Sequence, residues 1–195
     1  FIFLVVSILG IASYLVINRQ IFPELNINLN ISRGEAQQRS EQWLQQAGVD
    51  TSKYIKSVQF SNDDSTITFL DKHLSSDEAG KLLNDQIPAW TYTTRFFIPE
   101  QEEEYNVNYD NLGRLSDWYH LIPETQTGTT VSATAAQTIA EEFIRTRTQV
   151  TLADYELIET DEHQLPNRKD QTFTYERQGF SLADATQRLV VTVSA

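Results

Sequence analysis

Residues 32–44 read SRGEAQQRSEQWL and residues 132–144 read SATAAQTIAEEFI, so Ser32, Ala36, Trp43 and Leu44 recur one hundred residues later as Ser132, Ala136, Phe143 and Ile144. Each stretch opens on a serine suited to cap a helix, and its apolar residues recur at the spacing that lines one helical face. Tyr54 returns in the same way as Tyr155, at the start of a strand-like run in both copies. Self-similarity of this kind marks a tandem repeat, here two α+β units joined in series.

Working outward in the first copy, Ser32-Arg33-Gly34-Glu35 has the Ser-x-x-Glu form of a capping box. Ala36, Trp43, Leu44 and Ala47 then fall on one face, with Gln37, Gln38, Glu41 and Gln45 opposite and Gly48 placed to end the helix. Tyr54, Val58 and Phe60 alternate as in a strand, and Asn62-Asp63-Asp64 reads as a turn. A second helix is expected over residues 76–86, capped by Ser75 to Glu78 with Ala79, Leu82 and Leu83 inward and Pro88 beyond its end. Residues 90–98, 104–109 and 114–122 alternate as three strands, the last two joined through Asp110-Asn111-Leu112-Gly113.

The loop 124–130, rich in threonine and glycine, is the expected boundary between the copies. Beyond it Ala136, Ile139, Ala140, Phe143 and Ile144 follow the helical rule, and a strand begins at Asp154-Tyr155-Glu156-Leu157. Thr172-Phe173-Thr174-Tyr175 resembles Thr91-Tyr92-Thr93-Thr94, and residues 187–193 answer to 104–109. Nothing in the second copy answers to residues 114–122. The fold class is therefore α+β: each repeat, 32–123 and 131–195, lays a helix on an antiparallel meander sheet.

Ahead of the repeats, residues 1–17 are apolar except for two serines and a tyrosine, and Asn18-Arg19-Gln20 ends the run. Seventeen helical residues cover roughly 25 Å against a hydrocarbon core of roughly 30 Å, which predicts a transmembrane helix over 1–19, clipped at its start and followed by a tether over 20–31. The absence of methionine agrees with an excerpt or a processed product. Fifteen basic residues stand against twenty-seven acidic ones, for a net charge of −12. That balance repels nucleic-acid phosphates, and no basic stripe offsets it, so no nucleic-acid partner is expected. With no cysteine in the chain, neither a disulfide nor a thiolate site can form.

The arrangement resembles PepSY-like domains, small units with a helix on an antiparallel sheet. A longer pattern comprises the apolar run, Ser32-Arg33-x-Glu35-Ala36, the strand around Trp90, Tyr105-Asn106-Val107-Asn108 before Asp110-x-x-Gly113, and Pro166-Asn167-Arg168-x-Asp170-x-Thr172-Phe173-Thr174-Tyr175-Glu176. It is similar to the N-terminal extramembrane region of CPBP-type (CAAX-protease) intramembrane metalloproteases. The resemblance implies a bacterial membrane protein with an extracytoplasmic soluble part. It also implies a helical catalytic domain after Ala195 that holds a divalent metal, zinc, and acts as the region's partner. Peptide substrates and membrane lipid, the latter through residues 1–17, are the other implied partners.

That family's active site uses paired glutamates followed by an arginine, then Phe-x-x-x-His and His-x-x-x-Asn. Echoes of these occur here and fail. In Glu141-Glu142-Phe143-Ile144-Arg145 the arginine comes one residue early, and the spacing makes Phe143 and Ile144 core residues. Phe69-x-x-x-His73 and His163-x-x-x-Asn167 lie in polar segments, the first ahead of the glutamates. The histidines at 73, 120 and 163 have no spacing that aims two imidazoles at one ion. Glu100, Glu102, Glu103 and Glu104 read as a solvated turn, the three tryptophans as core, and Arg168-Lys169 as two exposed bases on a turn. No catalytic, cofactor-binding or metal-binding residue is therefore assigned. The expected function is a non-catalytic extramembrane region that regulates, or presents substrate to, a membrane-embedded metalloprotease. The alternative is a free-standing anchored binding or sensor protein.

Overall fold

A computed structural model describes the backbone of residues 2–21 and 28–195, with side chains described for 3–14 and 28–195. By internal contact the chain groups into two compact units. The first comprises Phe1–Ser52, Lys56–Thr94 and Val107–Asp117; the second comprises Lys53–Ile55, Arg95–Asn106 and Trp118–Ala195. The architecture is α+β with two antiparallel sheets. The first sheet orders strands β1 (Ile55–Asn62), β2 (Trp90–Phe97), β3 (Glu104–Asp110) and β4 (Leu115–Leu121) in sequence. The second orders β5 (Tyr155–Gln164), β6 (Lys169–Arg177) and β7 (Arg188–Ser194), so among the described residues it has no counterpart of β4.

A 20-residue helix, α1 (Ile2–Ile21), begins the chain, and its side chains from Phe3 to Tyr14 are exposed. Among the described residues no helix is long and apolar enough to cross a membrane, and the expected span is not established by the structure. Half of the expected tether, residues 22–27, lies outside the described residues.

Helix α2 (Arg33–Gln46) starts with both halves of the anticipated capping box: Ser32 Oγ accepts from the Glu35 N–H at 3.2 Å, and Glu35 accepts from the Ser32 N–H at 2.8 Å. The bond from the Ser32 backbone is the main reason the Glu35 carboxyl titrates below its usual range. At the other end Gly48, at φ 84°, turns the chain so that Gly48 N–H reaches the Gln45 carbonyl and Val49 N–H the Leu44 carbonyl. This is the Schellman arrangement a glycine permits there. Ala36, Ser40, Trp43 and Leu44 are buried, whereas Ala47, expected inward, is exposed because the helix has already ended.

Helix α5 (Ala133–Arg147) repeats the scheme at the same offsets. Ser132 caps it, and Ala136, Ala140 and Ile144 are fully buried where the first copy buries Ala36, Ser40 and Leu44. Ile139, assigned inward by the periodicity, is 49% exposed, and Phe143 is only half-buried. The buried stripe is narrower than the apolar one, because one helix on a three-stranded sheet covers less than the roughly 100° arc that apolar periodicity can fill. Helix α5 packs on β6 and β7, and its buried residues form a core with Phe173 and Tyr175, flanked by Leu157, Leu189, Val191 and Val193. A short 3₁₀ turn precedes the next strand in both copies, Thr51–Lys53 and Leu152–Asp154.

Between β1 and β2 lie two helices where the sequence shows one. The expected helix is α4 (Ser76–Asp85), capped by Ser75 with Glu78 completing the box and burying Ala79 and Leu83. The unexpected one is α3 (Asp64–His73), packed against α4. Its sequence, DSTITFLDKH, carries threonines and an isoleucine that weaken helix propensity. Asp63, read as part of a turn, is instead its N-cap: the carboxylate accepts from the N–H groups of Ser65 and Thr66, both at 3.1 Å, and from their hydroxyls. Those bonds, led by Ser65, hold the Asp63 carboxyl below its usual range. Phe60, expected inward, is 37% exposed, though its ring lies 4.5 Å from that of Tyr92.

Candidate functional site

The histidines and acidic runs singled out in the sequence do not converge. His73 ends α3 with its ring 4.5 Å from Phe69, His120 lies in β4, and His163 pairs with Asp170 across β5 and β6. Glu141 and Glu142 lie on α5, where Gln137 donates to Glu141 at 2.8 Å. Among the described residues no group of three histidine, aspartate or glutamate side chains could hold a metal ion.

Two polar clusters do form at the start of β3, both within the second unit. In one, the guanidinium of Arg95 on β2 pairs with Glu104, whose other oxygen accepts from Asn106 at 3.1 Å. The hydrogen bonds from Arg95 lower the Glu104 carboxyl, and the guanidinium rises in turn. Arg95 also sits 4.6 Å above the Phe97 ring. In the other, His120 Nε2 lies 2.7 Å from Glu103, and its ring stacks on Tyr105 at 4.0 Å. Tyr105 meets Tyr54 edge-on at 5.6 Å, and burial raises its hydroxyl well above the ordinary range, with Glu103 adding to the effect. Of the acidic run expected to be solvated, Glu100 and Glu102 are exposed, whereas Glu104 is buried and Glu103 is engaged. The true tip is Glu100, a non-glycine residue at φ 64°.

Beside the first cluster is an open surface pocket of about 350 Å³ lined by Arg95, Gln101, Glu102, Glu104, Leu121 and Pro123 among others. Its one cation is already held by Glu104, and its remaining charges are acidic. It offers no nucleophile with an adjacent base, and its chemistry is that of a surface concavity between strand ends.

A third cluster overturns an expectation. Arg168, read as an exposed base, has a side chain only 7% exposed. It donates to the carbonyls of Pro123 at 2.5 Å and Ile122 at 3.3 Å, and to Asp170 at 3.1 Å. Asn167 adds a bond to the Thr125 carbonyl, and Gly128 N–H returns one to the Asn167 carbonyl at 3.1 Å. The segment 122–128 is thus fastened to the β5–β6 turn. Gly128 leaves no room for a side chain, since a Cβ would lie 2.2 Å from Ala195 C. Lys169 pairs with Glu162 at 2.8 Å. Only long-range approach reveals this latch; the sequence signal was the run Pro166-Asn167-Arg168-x-Asp170, which the resemblance noted without a role.

Comparison with protein-family models, with curated proteins and with solved structures yields no match to the chain.

Proposed function

We propose that the chain is the membrane-anchored, non-catalytic extramembrane region of a CPBP-type intramembrane metalloprotease, built from two PepSY-like repeats that regulate the protease or present substrate to it. The observation that carries the anchor is the exposure of α1: Phe3 is 89%, Leu9 60% and Tyr14 61% exposed, and Leu4, Val6, Ile8 and Ile11 are comparably bare. Over residues 3–14 the exposed side chains are apolar except for Ser7 and Ser13, with no polar face for water, and a surface of that kind suits cover by lipid or another apolar surface. The non-catalytic part of the reading is supported by how the polar clusters are used. Glu104 holds Arg95, Asp110 holds Arg114, and Arg168 holds two carbonyls and Asp170, so the groups with chemical potential are spent on the fold. The metal, zinc by the resemblance, belongs in this reading to a catalytic domain following Ala195.

The reading is tested in two steps. The 195-residue chain, expressed in bacteria, is expected to fractionate with membranes and resist carbonate extraction, while a version beginning at Asn28 stays in the supernatant. Carbonate release of the former refutes the anchor. The coding sequence beyond Ala195 should then show several apolar spans with a Glu-Glu pair and downstream histidines. A stop codon there refutes the protease assignment and favours the free-standing module.

A further inference from the structure

In the first repeat the chain ahead of α2 is docked rather than free. Asn111, fully buried in the β3–β4 turn, holds it twice: its Nδ2 donates to the Asn28 carbonyl at 2.8 Å, and its own carbonyl accepts from the Asn30 N–H at 2.8 Å. Asn28 N–H donates in turn to Asn84 Oδ1 at 3.3 Å, and Asn84 is set by a bond from its Nδ2 to the Gly80 carbonyl at 2.9 Å. Ile31, 4% exposed, packs against Gly113. Arg114 ties the same turn to the end of α4 through the Asp85 carbonyl at 2.6 Å. Residues 28–31, the turn, the end of α4 and the start of α2 therefore share one pole of the first repeat, all inside the first unit.

Docking shortens the connection to α1. A free tether over residues 20–31 would reach about 40 Å, whereas the seven steps from Ile21, the last residue of α1, to the fixed Asn28 reach at most about 25 Å. Leu29, between the two bonded asparagines, is 56% exposed, an apolar side chain turned outward at this pole. We propose that this pole rests on the lipid surface into which α1 inserts, with Leu29 entering the headgroup layer and α2 running away from it. The inference rests on the anchored reading above and adds which end of the repeat meets the membrane. Zwitterionic headgroups are the fitting partner, because a chain of net charge −12 is repelled by anionic ones. At about 1.5 Å per residue, Gln46 at the far end of α2 stands about 20 Å from Ser32.

The chain has no cysteine, so the single substitutions Leu29→Cys, Asp85→Cys and Gln46→Cys, all at exposed positions, each take one fluorophore. Each labelled 195-residue chain is reconstituted into phosphatidylcholine vesicles that contain a lipid with a quencher on its headgroup, and is recovered by flotation. Labels at 29 and 85 should be quenched at least about threefold more strongly than the label at 46, which α2 carries about 20 Å away. Leu29→Glu in the Asp85→Cys chain should cut the quenching at 85 about twofold or more with flotation kept, since a carboxylate resists entry into the boundary between headgroups and acyl chains. Equal quenching at the three sites, quenching strongest at 46, or no effect of Leu29→Glu overturns the docking of this pole on lipid. A chain that does not float overturns the anchor, and this inference with it.

Discussion

Replacing Arg168 by alanine tests how the second unit holds the segment that enters it. The side chain is 7% exposed and has three partners, the carbonyls of Ile122 and Pro123 and the carboxylate of Asp170, itself 18% exposed. Truncation takes from the Ile122 carbonyl its side-chain donor, leaves the Pro123 carbonyl with the Gln126 N–H alone, and leaves a mostly covered carboxylate without its cation. A buried polar group left unpaired costs about 1–3 kcal/mol. Ile122 and Pro123 are half-buried, so water can reach part of what is lost, and the lower end of that range applies to each. The expected loss is about 2 kcal/mol, a fall in melting temperature of about 8–16 °C for a unit of this size. Arg168→Lys keeps the charge, but its single nitrogen cannot span the acceptors that Nε, Nη1 and Nη2 of the guanidinium reach separately, and it should recover less than half of the loss. Thermal denaturation followed by circular dichroism measures both, and limited proteolysis should show residues 124–130 cut faster in the alanine variant. An alanine variant that melts with the wild type, its loop equally resistant, would refute the latch.

Three further outcomes are expected. Gly113→Ala should cost about 1–3 kcal/mol by chemical denaturation, because the residue sits at φ +85° and a Cβ would lie 2.8 Å from Ile31 Cγ2 and 2.7 Å from Arg39 Nη1; an unchanged denaturation midpoint would mean that the turn relaxes freely. Glu104, lowered mainly by hydrogen bonds from Arg95, stabilises the fold above the ordinary carboxylate value of about 4.3 and loses that contribution as pH falls through its depressed one. Glu104→Gln should therefore flatten the acid limb of a stability–pH profile, and an acid limb identical to wild type counts against the pair. Tyr175, pushed up to about 12 by burial first and the Glu141 charge second, favours the fold in its neutral form, so its contribution is complete below the ordinary tyrosine value of about 10 and lost as pH rises toward 12. Its buried hydroxyl makes no well-formed hydrogen bond, although the Glu141 carboxylate lies close enough to act on it, so Tyr175→Phe should change stability at pH 7 by no more than about 1 kcal/mol while raising it above pH 10; a larger loss at pH 7 would contradict this.

The sequence by itself determined the parts of this protein that are written within a few residues of where they act. The capping boxes at Ser32–Glu35 and Ser75–Glu78, the stop at Gly48, the strand alternation around Trp90 and the pairing of Ala36 with Ala136 are all local, since a cap or a period needs only neighbours along the chain. Tertiary structure alone decided which polar groups are buried and what they hold. Ser40 shares a fully buried position with Thr94, 54 residues away, where the second copy has Ala140. Arg168 bonds to carbonyls 45 and 46 residues earlier, and Glu104 leaves the acidic run to take Arg95 across the hairpin. The same limit explains Ile139, apolar and at helical spacing yet exposed, and α3, a helix with weak propensity secured by the Asp63 cap and the burial of Leu70. Periodicity states which faces can be buried; which of them are depends on the elements that arrive there, and the energy of a polar group turns on whether the partner brought to it replaces the water it gave up.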